Sequence, residues 1–320
     1  MATHAPTHSA PGGGHVHHVD PRPLSYWWKR AAVWTVGSIL FAFGFVWLLR
    51  NFFQNTPTWD PQVYNAVAAS FGAIGFLIGI GCFDWWWGWM RGKRVDYEDH
   101  SMHGATSWRD YFKVNTDHKV IGTQYLVVVF AFFVIGGIFA ELVRAELASP
   151  GETFGDGETY NGLFSVHATL MIFLFVIPAF AGLANFVLPI MIGAKDMAFP
   201  RLNALSIWML IPGGLMLAVS PAFGSFSAGW TAYTPLATQG GTGQTLFEVG
   251  IQFAGASSIL TAINFLVTIF TMRQTVMPGA RIVKMVTRKL IAVMIELAPA
   301  NWIPTSKSVW PVPPWVASGV

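Results

Sequence analysis

The stretch LFSVHATLMIFLFVIPAFAGLANFVLPIMIGAKD, residues 163–196, decides how the chain is read. No Asp, Glu, Lys or Arg occurs between Asn161 and Lys195, so the segment is long and apolar enough to cross a bilayer. A single histidine, His167, interrupts it between Val166 and Ala168. Ionisable residues within a span tend to face a bundle interior and carry function. On the helix alone, two readings stand level. His167 either binds a metal through a neutral imidazole or hydrogen-bonds a neighbouring helix. Phe164, Phe173 and nearby methionines suit the apolar wall of a porphyrin pocket and suit lipid equally well.

The rest of the chain has the same character. Of 320 residues, 53% are hydrophobic and 11% charged, against about 25% charged in soluble domains. Six segments predict membrane helices: 31–50, 65–90, 120–143, 163–192, 204–223 and 250–272. Trp27 and Trp28 before the first span, and DWWWGWM (84–90) at the end of the second, read as interfacial anchors. With the N-terminus inside, 17 of the 19 Lys and Arg residues fall on the inner side, and only Arg50 and Arg144 lie outside. The bias predicts a multi-pass protein with both termini cytoplasmic, if the membrane is a bacterial inner membrane. One cysteine, Cys82, rules out an internal disulfide or a paired-thiol zinc site. The charge pattern offers no nucleic-acid footprint, and residues 1–30 hold no signal-peptide core.

The ends differ from the middle. Residues 1–23, with five of the nine histidines, read as a disordered tail able to bind a transition metal weakly. Residues 274–320 hold no full span; VTRKLIAVMIELA suits an interfacial helix, and WPVPPW ends any helix.

Other polar residues stand out. Arg144 ends the third span on the outer side, where it can clamp an anionic or carbonyl group, snorkel, or pair with Glu146. On the inner side, Asp196 lies in the loop GAKDMAFPRLN, with Asn185 eleven residues before it and Asn203 seven after it. Ser257, Ser258 and Asn264 lie in the last span. Such a line of acid, amides and hydroxyls can order water and conduct protons. A plain loop acid and small residues that let helices approach are the competing explanation.

The stretches TDHKVIGTQYL, RAELASPG, YNGLFSVHATLMIFLFVIPAFAGLANFVLPIMIGAKDMAFPRLNALSIWML, AGWTAYTPL and GASSILTAINFLVTIFTMR together closely resemble subunit I of the haem–copper terminal oxidases, cytochrome c oxidase type. The resemblance covers about residues 108–273. It implies an all-α polytopic membrane bundle of about six helices, the first four of the subunit I fold behind an added N-terminal hairpin over residues 24–107. It implies that His167 is an axial ligand of the low-spin haem, of haem A-like type, and that Arg144 contacts a haem substituent. Trp230 and Tyr233 fall over the haem propionates. Asp196 matches the mouth of a proton channel, Asn185 and Asn203 its asparagines, and Ser257, Ser258 and Asn264 its upper wall. Glu146 and Gly151 match a cation site.

The departures are equally specific. The family's second low-spin ligand, its high-spin haem ligand and its three copper histidines have no counterpart, and the resemblance ends at Arg273. The high-spin haem and copper B are expected only if another chain supplies the missing helices. The expected partners are that chain, the other oxidase subunits, the lipid bilayer, and cytochrome c or a quinol as electron donor. The chain then reads as part of an oxygen reductase, split or prematurely ended. The alternatives are a non-enzymatic haem-binding or assembly module and an inactive fragment. The charge bias carries a direct test: a reporter fused after Val320 that works only in the periplasm should stay silent, and a bright signal would require an odd number of spans.

Overall fold

The computed structural model describes residues 22–52, 59–92, 104–105, 107–153, 155–224, 226–233 and 241–272. The His-rich tail to residue 21 and the segment from 273 onward, including the predicted interfacial helix, lie outside the described residues. The described residues are helical and contain no strand. Six helices have the length and composition to span a membrane: α1 (Leu24–Phe52), α2 (Pro61–Ile80), α4 (His118–Glu146), α5–α6 (Gly157–Ile192), α7 (Pro200–Val219, extended by a 3₁₀ turn to Phe223) and α8 (Thr242–Thr271). Short α3 (Asp84–Met90) follows α2, and a 3₁₀ turn (Trp108–Phe112) precedes α4.

The predicted second span, 65–90, is broken. Gly81 takes a left-handed conformation (φ 102°) and caps α2, its N–H reaching the Ile78 and Leu77 carbonyls. Only glycine suits the site, because a Cβ there would lie 2.7 Å from the Trp27 ring. The chain restarts as α3, whose Asp84 receives both arms of the Arg30 guanidinium at 2.6 Å. Arg30 can therefore lie within α1, which begins at Leu24 and takes in Trp27 and Trp28.

Aspartates start three of the spanning helices. Asp60 accepts from the Gln62 N–H, Asp117 from Lys119 and Val120, and Asp156 from Thr159. Each carboxylate satisfies donors that a helix start leaves unbonded.

Lipid provides no hydrophobic drive for helix association, so the helices join where small residues let backbones touch. A Cβ on Gly79 would come 2.5 Å from the Ala31 Cα, which closes α1 on α2. Gly122 faces Gly182 between α4 and α6, and Gly213 faces Gly250 between α7 and α8. The hairpin α1–α2 leans on α7 and α8. Trp28, Phe76 and Trp208 meet with ring centroids 6.1–6.2 Å apart, and Asn65 donates to Thr242. On the other side of α7, Phe132 of α4 and Leu174 fill the space over Gly214. Outward faces carry apolar side chains such as Val33 and Phe270, each more than two-thirds exposed, as a lipid boundary requires.

Replacing Gly79 by valine should separate α1 from α2. The expected loss is about 1–3 kcal/mol, read as a lower melting temperature in detergent, whereas valine at Gly44, where a Cβ meets nothing within 4 Å, should leave it unchanged.

Candidate functional site: an anchored imidazole and a buried polar column

The helix carrying His167 begins at Gly157 rather than at residue 163. His167 is thus ten residues in, about 15 Å along the axis. Its Nδ1 donates to the Gly136 carbonyl of α4 at 2.8 Å. That bond fixes the tautomer and leaves Nε2 with a lone pair able to bind a metal ion. Just below His167 the helix widens into a π-helical turn, Leu170–Val176, and resumes as α6 (Ile177–Ile192).

Arg144 is exposed in the last turn of α4, on the same helix as Gly136 and eight residues beyond it. No bond joins it to His167 among the described residues. Trp230 sits 6.1 Å from Phe173, ring centroid to centroid, and the Gly229 N–H donates to Ser165 Oγ. These contacts fasten the outer loop to the helix that carries His167. Tyr233 is exposed. Glu146 accepts from the Thr153 N–H at 2.9 Å, and Gly151 makes a left-handed turn between them. Both line an open cleft with Glu152 and Asp156. No cluster of three metal-ligating His, Cys, Asp or Glu side chains occurs among the described residues.

The inner polar residues come together more closely. Asp196 is buried in the loop between α6 and α7, and its Oδ1 accepts from the Met197 N–H at 2.7 Å. Burial pushes its carboxyl up to about 7, with Asp117 adding repulsion, while the Met197 and His118 amides pull the other way. Nearby, His118 Nδ1 donates to the Asn185 carbonyl, and Asn203 Nδ2 donates to Asn185 Oδ1 at 2.6 Å. Asn203 is fully buried, and its Oδ1 finds no hydrogen-bond partner among the described residues. Asn264 brackets Phe199, accepting from its N–H and donating to its carbonyl.

Above the asparagines the column becomes hydroxylic. Ser206 donates to the Asn203 carbonyl and Ser257 to the Ser206 carbonyl. Thr261 donates to the Ser257 carbonyl. The fully buried Tyr125 hydroxyl lies 2.9 Å from Ser206 Oγ and 3.0 Å from Thr261 Oγ1. Both partners have committed their own hydrogens, so one tyrosine proton serves two acceptors. From Thr268 to Ser257 the column climbs about 16 Å of α8.

Of the predicted residues, Asn185, Asn203, Ser257 and Asn264 therefore join the column and Asp196 lies at its base. Ser258 is half-buried and makes no described hydrogen bond. The sequence reading missed Tyr125, Ser206, Thr261, Thr268 and His118. His118 and Tyr125 are seven residues apart on one helix face, a signal that was available. His118 also begins a spanning helix, two residues before the predicted start at 120.

Six spanning helices around an anchored imidazole and a buried polar column define a polytopic membrane protein with an internal polar path. The chain belongs to the family described as Cytochrome C and Quinol oxidase polypeptide I, whose model matches residues 120–307. The match begins after the N-terminal hairpin and runs past Arg273, where the resemblance read from the sequence stops. Similar relatives are cytochrome c oxidase subunit 1 of Synechocystis sp., 51% identical over 172 residues, 53% of this chain and 31% of the relative, and that of Corynebacterium efficiens, 40% identical over 199 residues, 60% and 33%. A putative cytochrome c oxidase subunit 1-beta of Streptomyces coelicolor is 47% identical over 176 residues, 53% and 30%. The matched region spans about a third of the length of these relatives.

Asp196 supplies a titration test. Its value in the folded protein lies above the ordinary carboxylate range, so on raising the pH the unfolded chain ionises first. Stability should fall as pH rises from about 4 to about 7, and Asp196→Asn should remove that slope. A carboxylic-acid C=O infrared band should titrate near pH 7 and be missing in Asp196→Asn.

Proposed function

We propose that this chain forms the part of a respiratory terminal oxidase subunit I that holds one axial ligand of a low-spin haem and lines a proton-uptake path. Reduction of oxygen to water then takes place in the assembled oxidase, with helices beyond those described. Family membership gives the class, and the buried column from Asp196 to Ser257 is the observation that carries the proton reading.

Asp196 at about 7 is poised to take up and release protons near neutral pH, which a solvent-exposed aspartate is not. Asn185 and Asn203 cannot release protons; their role is to orient water above the acid. Tyr125, Ser206, Thr261 and Ser257 carry the path outward through groups that both donate and accept. Arg201 lies outside this path and stacks on Trp85 of the hairpin.

His167 fits a haem iron because its Nδ1 is occupied by Gly136 and its Nε2 is not. When bound, the haem supplies one-electron transfer, and the protein sets its ligand and surroundings. His118 cannot be the second ligand: Gly136, which marks the depth of His167 on α4, is eighteen residues away, about 27 Å of helix. No other described histidine lies at that depth. Arg144 contacts a polar haem substituent, Trp230 and Tyr233 lie over the propionates, and Glu146 with Gly151 forms an outer cation site. A bacterial inner membrane with both termini cytoplasmic fits the basic residues, and cytochrome c or a quinol delivers the electrons.

In an assembled oxidase containing this chain, Asp196→Asn should slow proton uptake and turnover by ten-fold or more, about 1.4 kcal/mol of barrier for each factor of ten, and leave the haem spectra intact. His167→Ala should abolish the low-spin band. Unchanged turnover and proton uptake in Asp196→Asn would make Asp196 an ordinary loop acid. A stable bis-histidine spectrum from the chain alone would overturn the half-site.

A further inference from the structure

The π-helical turn Leu170–Val176 lies between His167 and the channel asparagines. The helix meets α4 on both sides of it. On the outer side, His167 bonds the Gly136 carbonyl, and Leu170 Cβ would lie 3.5 Å from a Cβ placed on Gly136. On the inner side, Gly182 packs on Tyr125, and Phe186 Cβ would lie 3.0 Å from a Cβ on Gly122.

An unbroken α-helix cannot make both contacts. At about 100° per residue, Leu170 and Phe186, sixteen positions apart, would point about 160° away from each other. Leu170 and Gly182 would differ by about 120°. Gly136 and Gly122 on α4 differ by only about 40°, so both halves must turn to one side. Hydrogen bonds from residue i+5 to residue i take one extra residue into the turn. That removes about 100°, leaving Leu170 about 60° from Phe186 and about 20° from Gly182.

The sequence cause is Pro178. A proline ring clashes with the carbonyl four residues back and has no N–H to donate. Here that carbonyl belongs to Leu174, inside the turn, and the Ile177 N–H reaches back five residues to Ile172. The widened turn moves the obstructed carbonyl aside.

We propose that the Leu170–Val176 turn, set by Pro178, is the positioning element for His167: it rephases the helix so that the imidazole reaches Gly136 while Gly182 stays seated on α4. The proposal rests on the reading of His167 as a haem ligand only for its consequence; the phasing is independent of haem.

The test uses the full chain in membranes with Cys82→Ala, which removes the single native thiol. Two cysteine pairs report the two contacts, Gly136→Cys with Leu170→Cys and Gly122→Cys with Phe186→Cys. Their Cβ separations lie at or just below the disulfide range of about 3.5–4.5 Å. Oxidation with copper phenanthroline should remove both alkylatable thiols in each pair. Deleting Ile172 together with Pro178→Ala should leave both disulfides forming, because without the proline ring the turn becomes an ordinary α turn with its ends in place. Inserting one alanine after Ile172 should abolish the outer disulfide and keep the inner one. In an oxidase complex containing the chain, the same insertion should abolish the low-spin band. Failure of either disulfide with the native turn, or a low-spin band that survives loss of the outer disulfide, overturns the proposal. Both disulfides forming without any low-spin band in the parent would instead refute the haem reading and leave the phasing intact.

Discussion

A bilayer offers no water to a buried polar group, and this constraint governs where each polar side chain of the bundle can go. Threonine and serine hydroxyls return to their own helix, as Thr35 does to Ala31 and Thr169 to Ser165. Ser206 and Thr261 do the same, donating to Asn203 and Ser257. The Tyr125 hydroxyl of α4 has no such partner on its own helix, and it meets the oxygens of Ser206 on α7 and Thr261 on α8 at a single point. The same economy puts the Arg30 charge against Asp84 and the His167 Nδ1 against a carbonyl.

Close backbone approach makes these contacts possible. Gly122 against Gly182 and Gly213 against Gly250 bring α4, α6, α7 and α8 near enough for short side chains to touch. Asn185 of α6 and Asn203 of α7 meet at 2.6 Å within the bundle so formed. The hairpin α1–α2 uses the same device at Gly79, and none of its described side chains joins the column; its aromatic contacts with Trp208 brace the far face of α7. It supports the site from behind.

Burial also explains the electrostatics at the base of the column. Asp196 is hidden in a short loop beside a second acid, Asp117, whose own carboxylate caps α4. The amides at the start of α4 and at Met197 recover part of the lost hydration. The balance leaves an acid that changes charge near neutral pH, a property set by the packing of the loop against α4 and not by the residue's identity.

The amino-acid sequence by itself determined the class, the number of spans and the candidate polar residues. Long apolar runs must become helices in lipid, and an isolated histidine or acid among them is visible without any structure. It also placed Asn185 and Asn203 near Asp196, because loop length limits how far they can separate. Tertiary structure alone decided which groups meet. Tyr125, Ser206 and Thr261 lie on three helices separated by up to 136 positions, and no local periodicity brings them together. The break at Gly81 depends on the Trp27 ring of another helix, and the π turn depends on a proline that must keep two distant contacts on one face of α4. Local pattern fixes which face of a helix is apolar; only the neighbouring helices fix its rotation and therefore its partners.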